Sequence, residues 1–275
     1  MKRTTLATTF LSAALITTLV PVARPAAATS QSDASPVTAR GDWTADARNW
    51  GSSDEGPRLQ LNLRSIEGFN NWGFGVLLSE LEGLPPAAHT GAVNDARFSW
   101  AKEAGMFRFQ GTFDNGRGSG SFTFSANASY VSGMALLGYR SLSTDTLLRL
   151  AVLDVTHAYV RSLGDAGHKS IDLDELVRMR IHRVSAEFIR DFATLGRRGL
   201  TTSELIKLRI HGATPEFERA MQAAGFKGLT TDELVKFRIH GVTPDFVTRM
   251  AALGYRDLDR EHLVKFRIHK VTPEF

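Results

Sequence analysis

Cysteine is absent from the 275 residues. That removes thiolate nucleophiles, Cys-ligated zinc, iron–sulfur chemistry and disulfide staples. Tryptophan and tyrosine are sparse at four each, and all four Trp residues lie before residue 101. Charge of one sign is also lacking: beyond residue 28, 30 basic residues face 29 acidic ones, which gives no reason to expect nucleic acid. After residue 22 no apolar run approaches the roughly 20 residues needed to span a bilayer. The H-E-x-x-H, G-x-S-x-G and P-loop patterns do not occur, so no motif points to an enzyme, a metal or a cofactor. The remaining composition, 43% hydrophobic with 24 Gly and 9 Pro, is that of a globular chain with one or two cores.

Lys2 and Arg3 precede an apolar stretch from Leu6 to Val22, and Ala26-Ala27-Ala28 offers small residues before Thr29. Residues 1–28 therefore read as a secretory signal peptide. The alternative, an uncleaved anchor helix, is weakened by the Thr residues in the run and by Pro21, which ends it short of a full span. The expected location is periplasmic or secreted, with no transmembrane segment after cleavage, and residues 29–41 read as a flexible lead-in.

Over residues 42–125, apolar and polar residues alternate with the period of half-buried strands. The segments are Arg58–Arg64, Trp72–Leu78, Ala96–Ala101, Met106–Gln110 and Ser121–Ser125. A Gly-rich stretch, Asp114–Gly120, separates the last two. Because a strand and not a helix follows it, it reads as a hairpin turn and not a phosphate cradle. The expectation is a small antiparallel β sandwich or open barrel. Trp43, Trp50, Trp72 and Trp100 all fall in this domain; packing explains them, and a ligand platform is the alternative. Its plausible polar cluster is Asp42, Asp46, Glu80, Glu82 and His89.

From residue 126 the chain repeats. Arg-Ile-His recurs at 180–182, 209–211, 238–240 and 267–269, always 29 residues apart, which gives five units over 126–270 and a partial sixth from Val271. Such a period marks stacked supersecondary units. Thr243-Pro244-Asp245 and Thr214-Pro215-Glu216 are helix starts. Thr230-x-x-Glu233, Thr201-x-x-Glu204 and Asp172-x-x-Glu175 are capping boxes or a variant of one. Residues 126–275 thus read as an all-α solenoid of helical hairpins, and the fold class as α+β in two parts.

On a helical wheel of the second helix in a unit, Leu234, Val235, Phe237 and Ile239 define an apolar arc that also contains Arg238. A guanidinium there needs an acid or a route to water. An acid stands seven residues on in each case: Arg180 with Glu187, Arg209 with Glu216, Arg238 with Asp245, Arg267 with Glu274. The unit without the Arg has Ala151, and Ala158 replaces the acid. This internal co-variation predicts a structural ladder of Arg–carboxylate bridges. His182, His211, His240 and His269 read as helix-terminal residues favoured by the dipole, with a zinc-binding or pH-sensing row as the alternative. Lys207, Lys236 and Lys265 form a second basic row, and residues 126–275 carry 22 basic and 18 acidic side chains. These lysines are the candidate partner-binding residues.

Val-Thr-Pro-Glu/Asp-Phe and Lys-Phe-Arg-Ile-His-Gly, preceded by Gly105-Met-Phe-Arg-Phe-Gln-Gly-Thr-Phe and Gly118-Ser-Gly-Ser-Phe-Thr-Phe, resemble a bacterial repeat region. It is similar to the extracytoplasmic tail of some β-lactam-sensor-type membrane metallopeptidases and to exported proteins sharing that region. The peptidase's membrane helices and H-E-x-x-H are missing here, so no catalytic residue carries over. The resemblance implies sensing or interaction. Together these readings lead to the expectation of an exported, non-enzymatic scaffold that binds a protein partner in the cell envelope through its repeats. A ligand sensor with a β-domain pocket, or an exported hydrolase, are the other readings.

Overall fold

The computed structural model describes residues 38–47, 52–53, 56–65, 71–256 and 258–274. The signal-peptide reading, the lead-in up to residue 37 and Trp50 lie outside them. Contacts divide the chain into Met1–Ser35 and Pro36–Phe275, and all that follows concerns the second unit.

Thr38–Gly41, expected in the lead-in, is the first half of strand β1 (Thr38–Asp46), which pairs with two neighbours. Its buried positions there are Ala39 and Gly41, too small to carry a visible hydrophobic alternation. Gly41 is required: a Cβ on it would stand 2.5 Å from the Phe122 ring. The other strands are β2 (Ser52–Ser53), β3 (Gly56–Ser65), β4 (Asn71–Leu77), β5 (Leu81–Glu82), β6 (Ala92–Lys102), β7 (Gly105–Asp114) and β8 (Arg117–Ala126). They form one antiparallel sheet, ordered β2-β3-β1-β8-β7-β6-β5, with β4 on β3. The sheet is curled into a half-barrel, so of the two expected forms the open barrel is the nearer, and among the described residues no second sheet faces it. Between β7 and β8 the turn is tighter than the Gly-rich stretch suggested. Asn115 and Gly116 adopt φ of 46° and 82°, the two-residue left-handed turn that matches strand twist.

One face of the sheet is the core, with Trp43, Leu61, Phe98, Phe107, Phe109, Phe122 and Phe124 all buried. The opposite face alternates to Asp42, Thr44, Arg108, Gln110 and Ser121, all exposed. Ten helices follow among the described residues. The odd ones are α1 (Ala128–Leu136), α3 (His157–Asp165), α5 (Ala186–Thr194), α7 (Pro215–Ala223) and α9 (Pro244–Ala252). The even ones are α2 (Thr144–Val152), α4 (Leu173–Ile181), α6 (Thr202–Ile210), α8 (Thr231–His240) and α10 (Arg260–Ile268). Helix α2 packs on β1, β7 and β8. The odd helices pack on one another in succession, and so do α4, α6, α8 and α10.

All ten helices start on a side-chain cap of the Asn, Ser, Thr or Asp type. Each cap is worth about 1 kcal/mol. Thr201/Glu204 and Thr230/Glu233 close full capping boxes, whereas Asp172 accepts from Asp174 N. Nine or ten residues are too few for a helix to stand alone in water, so contact with the neighbouring unit supplies the stability.

One unit breaks the apolar pattern. Val131, Val160, Ile189 and Val247 occupy a position that is Glu218 in the fourth unit, and Glu218 is only 2% exposed. Its carboxylate receives Arg197 Nε at 2.5 Å and Gln222 Nε2 at 3.2 Å, and Arg197 also donates to Leu229 O. Arg197 stands where other units have Tyr139, His168, Phe226 and Tyr255. The two substitutions compensate each other. Arg197→Ala strands the buried carboxylate and is expected to cost about 3–5 kcal/mol. Arg197→Tyr with Glu218→Val, which restores the pattern of the other units, should be neutral or stabilising by roughly 1–4 kcal/mol in urea unfolding. If the double variant is as unstable as the single one, this account of the pair is wrong.

Candidate functional site

The repeated arginines do not bridge to the acids seven residues on. Among the described residues no ion pair within 4.0 Å joins Arg180 to Glu187, Arg209 to Glu216, Arg238 to Asp245 or Arg267 to Glu274. Instead each guanidinium lies over an aromatic ring 21 residues earlier. The centroid distances are 5.1 Å for Arg180 on Tyr159, 3.9 Å for Arg209 on Phe188, 4.9 Å for Arg238 on Phe217 and 5.0 Å for Arg267 on Phe246. Two physical reasons correct the expectation. Helical side chains lean toward their own N-terminus, so an Arg in the last turn reaches back and not forward. Glu187, Glu216 and Asp245 stand at the second residue of the following odd helix, and Glu216 sits below its ordinary value through its own backbone N–H and the Thr214 hydroxyl, with Arg209 the weakest contributor. Asp245 and Glu274 both face Arg249 instead.

The Ala151/Ala158 exception also has another origin. Ala151 is buried in α2, the helix that meets the sheet, and the ring that an Arg there would cover, Tyr130, stacks on His157 at 4.8 Å. The 21-residue offset between aromatic and Arg was present in the sequence, but Tyr130 keeps the ring in the unit that has Ala151, so no co-variation marked it.

The second basic row also joins successive even helices. Arg149 bonds Asp174 at 3.0 Å, Lys236 bonds Glu261 at 2.8 Å, and Lys207 bonds Asp232. Each pair is 25 residues apart and, being exposed, worth under about 1 kcal/mol. Lys207 and Lys236 thus carry a partner within the chain, while Lys265 is exposed without an ion pair among the described residues.

The apolar arc is narrower than the wheel implied. Ile181, Ile210, Ile239 and Ile268 are exposed by 52%, 55%, 58% and 53%, one at the C-terminal end of each helix from α4 to α10. His182, His211, His240 and His269 follow them directly; His211 and His269 are exposed and the other two half-buried. Among the described residues no group of three or more His, Asp or Glu is placed to hold a metal ion. The helical part therefore presents a regular row of isoleucines edged by histidines, with a row of partly neutralised bases behind it.

On the β domain the three described tryptophans do not form a platform. Trp43 and Trp100 are buried, with their indole N–H groups given to Gln110 O at 3.2 Å and Glu80 at 2.9 Å, and Trp72 is half-buried against the core. Burial acts to raise Glu80, but bonds from Lys102 and Trp100 more than offset it and hold the carboxyl below its ordinary value. His89 faces Ala47 O at 2.8 Å. These groups serve separate local bonds. A cleft of 460 Å³ does open on the polar face of the sheet, lined by Glu82, Arg97, Arg108, Gln110, Ser121 and Thr123 and by no Trp. No helix among the described residues is long and apolar enough to cross a membrane.

Stacking and not ion pairing should appear in double-mutant cycles. Arg238→Ala and Phe217→Leu are expected to couple by about 0.5–1 kcal/mol, and Arg238→Ala and Asp245→Ala to be additive; the reverse result restores the carboxylate ladder. The Tyr159 hydroxyl donates to Val184 O at 2.9 Å, and burial, opposed by Arg180, pushes its ionisation up to about 12. The unfolded chain loses this proton near the ordinary value of about 10. The stabilisation is thus complete below pH 10 and lost as pH rises through 12, which a phenolate absorbance titration beside thermal melts will check. Neither family models, nor curated proteins, nor solved structures give a match to this chain.

Proposed function

We propose that this chain is an exported, non-enzymatic interaction module, periplasmic or secreted. Its repeats form a solenoid of 29-residue hairpins, the β domain caps one end of it, and the helical surface binds a protein partner in the cell envelope. The observation that carries the reading is the isoleucine row. Four large apolar side chains, each more than half exposed and repeating with the 29-residue period, gain nothing from exposure in an isolated molecule. Regular exposed apolar positions mark interaction surfaces. Stacked helices stand about 8–10 Å apart, so the row suits a partner segment that offers an apolar side chain every second turn of helix, about 11 Å. The histidines and the excess of bases in 126–275 favour acidic flanks on that segment.

The sensor reading has one observation of its own, the 460 Å³ polar cleft on the sheet. The experiment that separates the two is capture from an envelope extract by the full chain and by an Ile210→Asp/Ile239→Asp variant. Both positions are exposed, so the thermal transition should not move, while retention of the partner should fall at least about tenfold. Equal retention by the variant overturns the isoleucine reading. An empty capture together with a Trp fluorescence shift on adding cell-wall fragments moves the function to the sheet cleft.

A further inference from the structure

A separate cleft of 620 Å³ lies where the ends of α2 and α4 meet strand β3. Four guanidine side chains line it: Arg58 from β3, Arg180 and Arg183 from the end of α4 and its following turn, and Arg209 from α6. None of its lining residues is acidic. Asp154 offsets part of the charge from outside, bonding Arg180 at 3.2 Å while also facing Lys102 at 3.6 Å. The remaining wall is apolar, with Val152, Leu153 and Ile181 on it.

Two features of this cluster recur at Asp154 and Lys270, with φ of 54° and 59°, and at Arg267, whose Nε is also buried without a partner; what this place adds is the convergence of four arginines on one cleft. Arg183 has φ of 56°, and 29 and 58 residues on the same left-handed position is Gly212 and Gly241, at 63° and 69°. A conformation that favours glycine thus holds a long cationic side chain at Arg183, as it does at Lys270, and at Arg183 three other arginines line the same cleft. Arg209 Nε is buried with no hydrogen-bond partner, although its ring-stacked guanidinium is fixed in place over Phe188. Burial disfavours the charge on Arg209, Glu216 opposes this, and Arg183 adds to it. Arg183 and Arg209, which have no ion pair within 4.0 Å among the described residues, stand beside an apolar wall and make a receptor for an oxyanion on an apolar stem, because the planar fork matches carboxylate geometry and the volume falls in the range of small-molecule sites.

We propose that this cleft binds an organic carboxylate, its oxygens held by Arg183 and Arg209 and its apolar stem lying against Leu153 and Ile181. The site does not rest on the protein-partner reading of the isoleucine row. The test is calorimetric titration of the full chain at low salt with sodium octanoate, alongside sodium sulfate, which lacks the stem, and 1-octanol, which lacks the charge. Octanoate is expected to saturate one site at least about tenfold more tightly than either control, and to weaken as salt is raised. Arg183→Gly introduces the residue that two other units carry there and should keep the fold, yet lose at least about tenfold in octanoate affinity. Arg183→Glu, at the same exposed position, should abolish binding. No saturation with octanoate, binding by sulfate as tight as by octanoate, or unchanged affinity in both variants would each overturn the proposal, and none of them bears on capture of a protein by Ile210 and Ile239.

Discussion

Everything in the helical part depends on the helices being too short to hold themselves. Nine residues give at most a handful of intrahelical bonds against a costly nucleus. Each unit is therefore only as stable as its contact with the next, and that contact repeats with little variation. Leu, Val and Met side chains fill the interior, a side-chain cap opens every helix, and from the second unit on a guanidinium lies on the aromatic ring of the first helix of its own unit. The stack answers a specific problem at helix ends. An Arg in the last turn has an amphipathic stem to cover and a charge to keep wet, and a ring on the neighbouring helix satisfies both demands without the desolvation that a buried carboxylate bridge would entail.

The other edge of the repeat is closed differently. Tyr139 donates to Ile171 O at 2.9 Å, Arg197 donates to Leu229 O, and Arg260 donates to Lys227 O at 3.1 Å and Gly228 O at 3.3 Å. These bonds cross from one unit to the loop of a neighbouring one and satisfy carbonyls that a short helix pair leaves open. Where the repeat meets the sheet, the pattern stops for a visible reason: α2 packs on β1, β7 and β8, its Arg position becomes Ala151, and Asp154 at the helix end is shared between Lys102 of β6 and Arg180 of the next even helix.

Much of this was legible in the sequence because it rests on local chemistry. Caps such as Thr201 and Thr230, the Gly positions that end the odd helices, and the alternation in β3, β7 and β8 are written in adjacent residues. The misses share a cause: they depend on which neighbour lies across a tertiary contact. Ala39 and Gly41 gave no alternation because Phe122 fills their space. Ile239 fell inside the wheel's apolar arc, but the arc that the next helix covers is narrower. Arg238, placed in the same arc, is exposed, and its partner was sought seven residues ahead when it stood 21 residues behind. Only the acid co-varies with the Ala151 exception, since Tyr130 keeps the ring where the Arg is lost; co-variation pointed to the acid, and the direction in which helical side chains lean decides for the ring.

These arguments converge on one edge of the molecule. The loop edge uses its donors on carbonyls, and the odd helices bury their apolar stripe against one another. At the C-terminal ends of the even helices, by contrast, lie the exposed isoleucines, the histidines, the stacked guanidiniums and the left-handed turn residue. That turn residue is Gly212 and Gly241 in two units and Asp154, Arg183 and Lys270 in the other three. Stability asks nothing of an isoleucine left more than half exposed, and it disfavours an arginine at positive φ. Residues retained against the local preference, on the edge that packing does not use, are where recognition is to be sought.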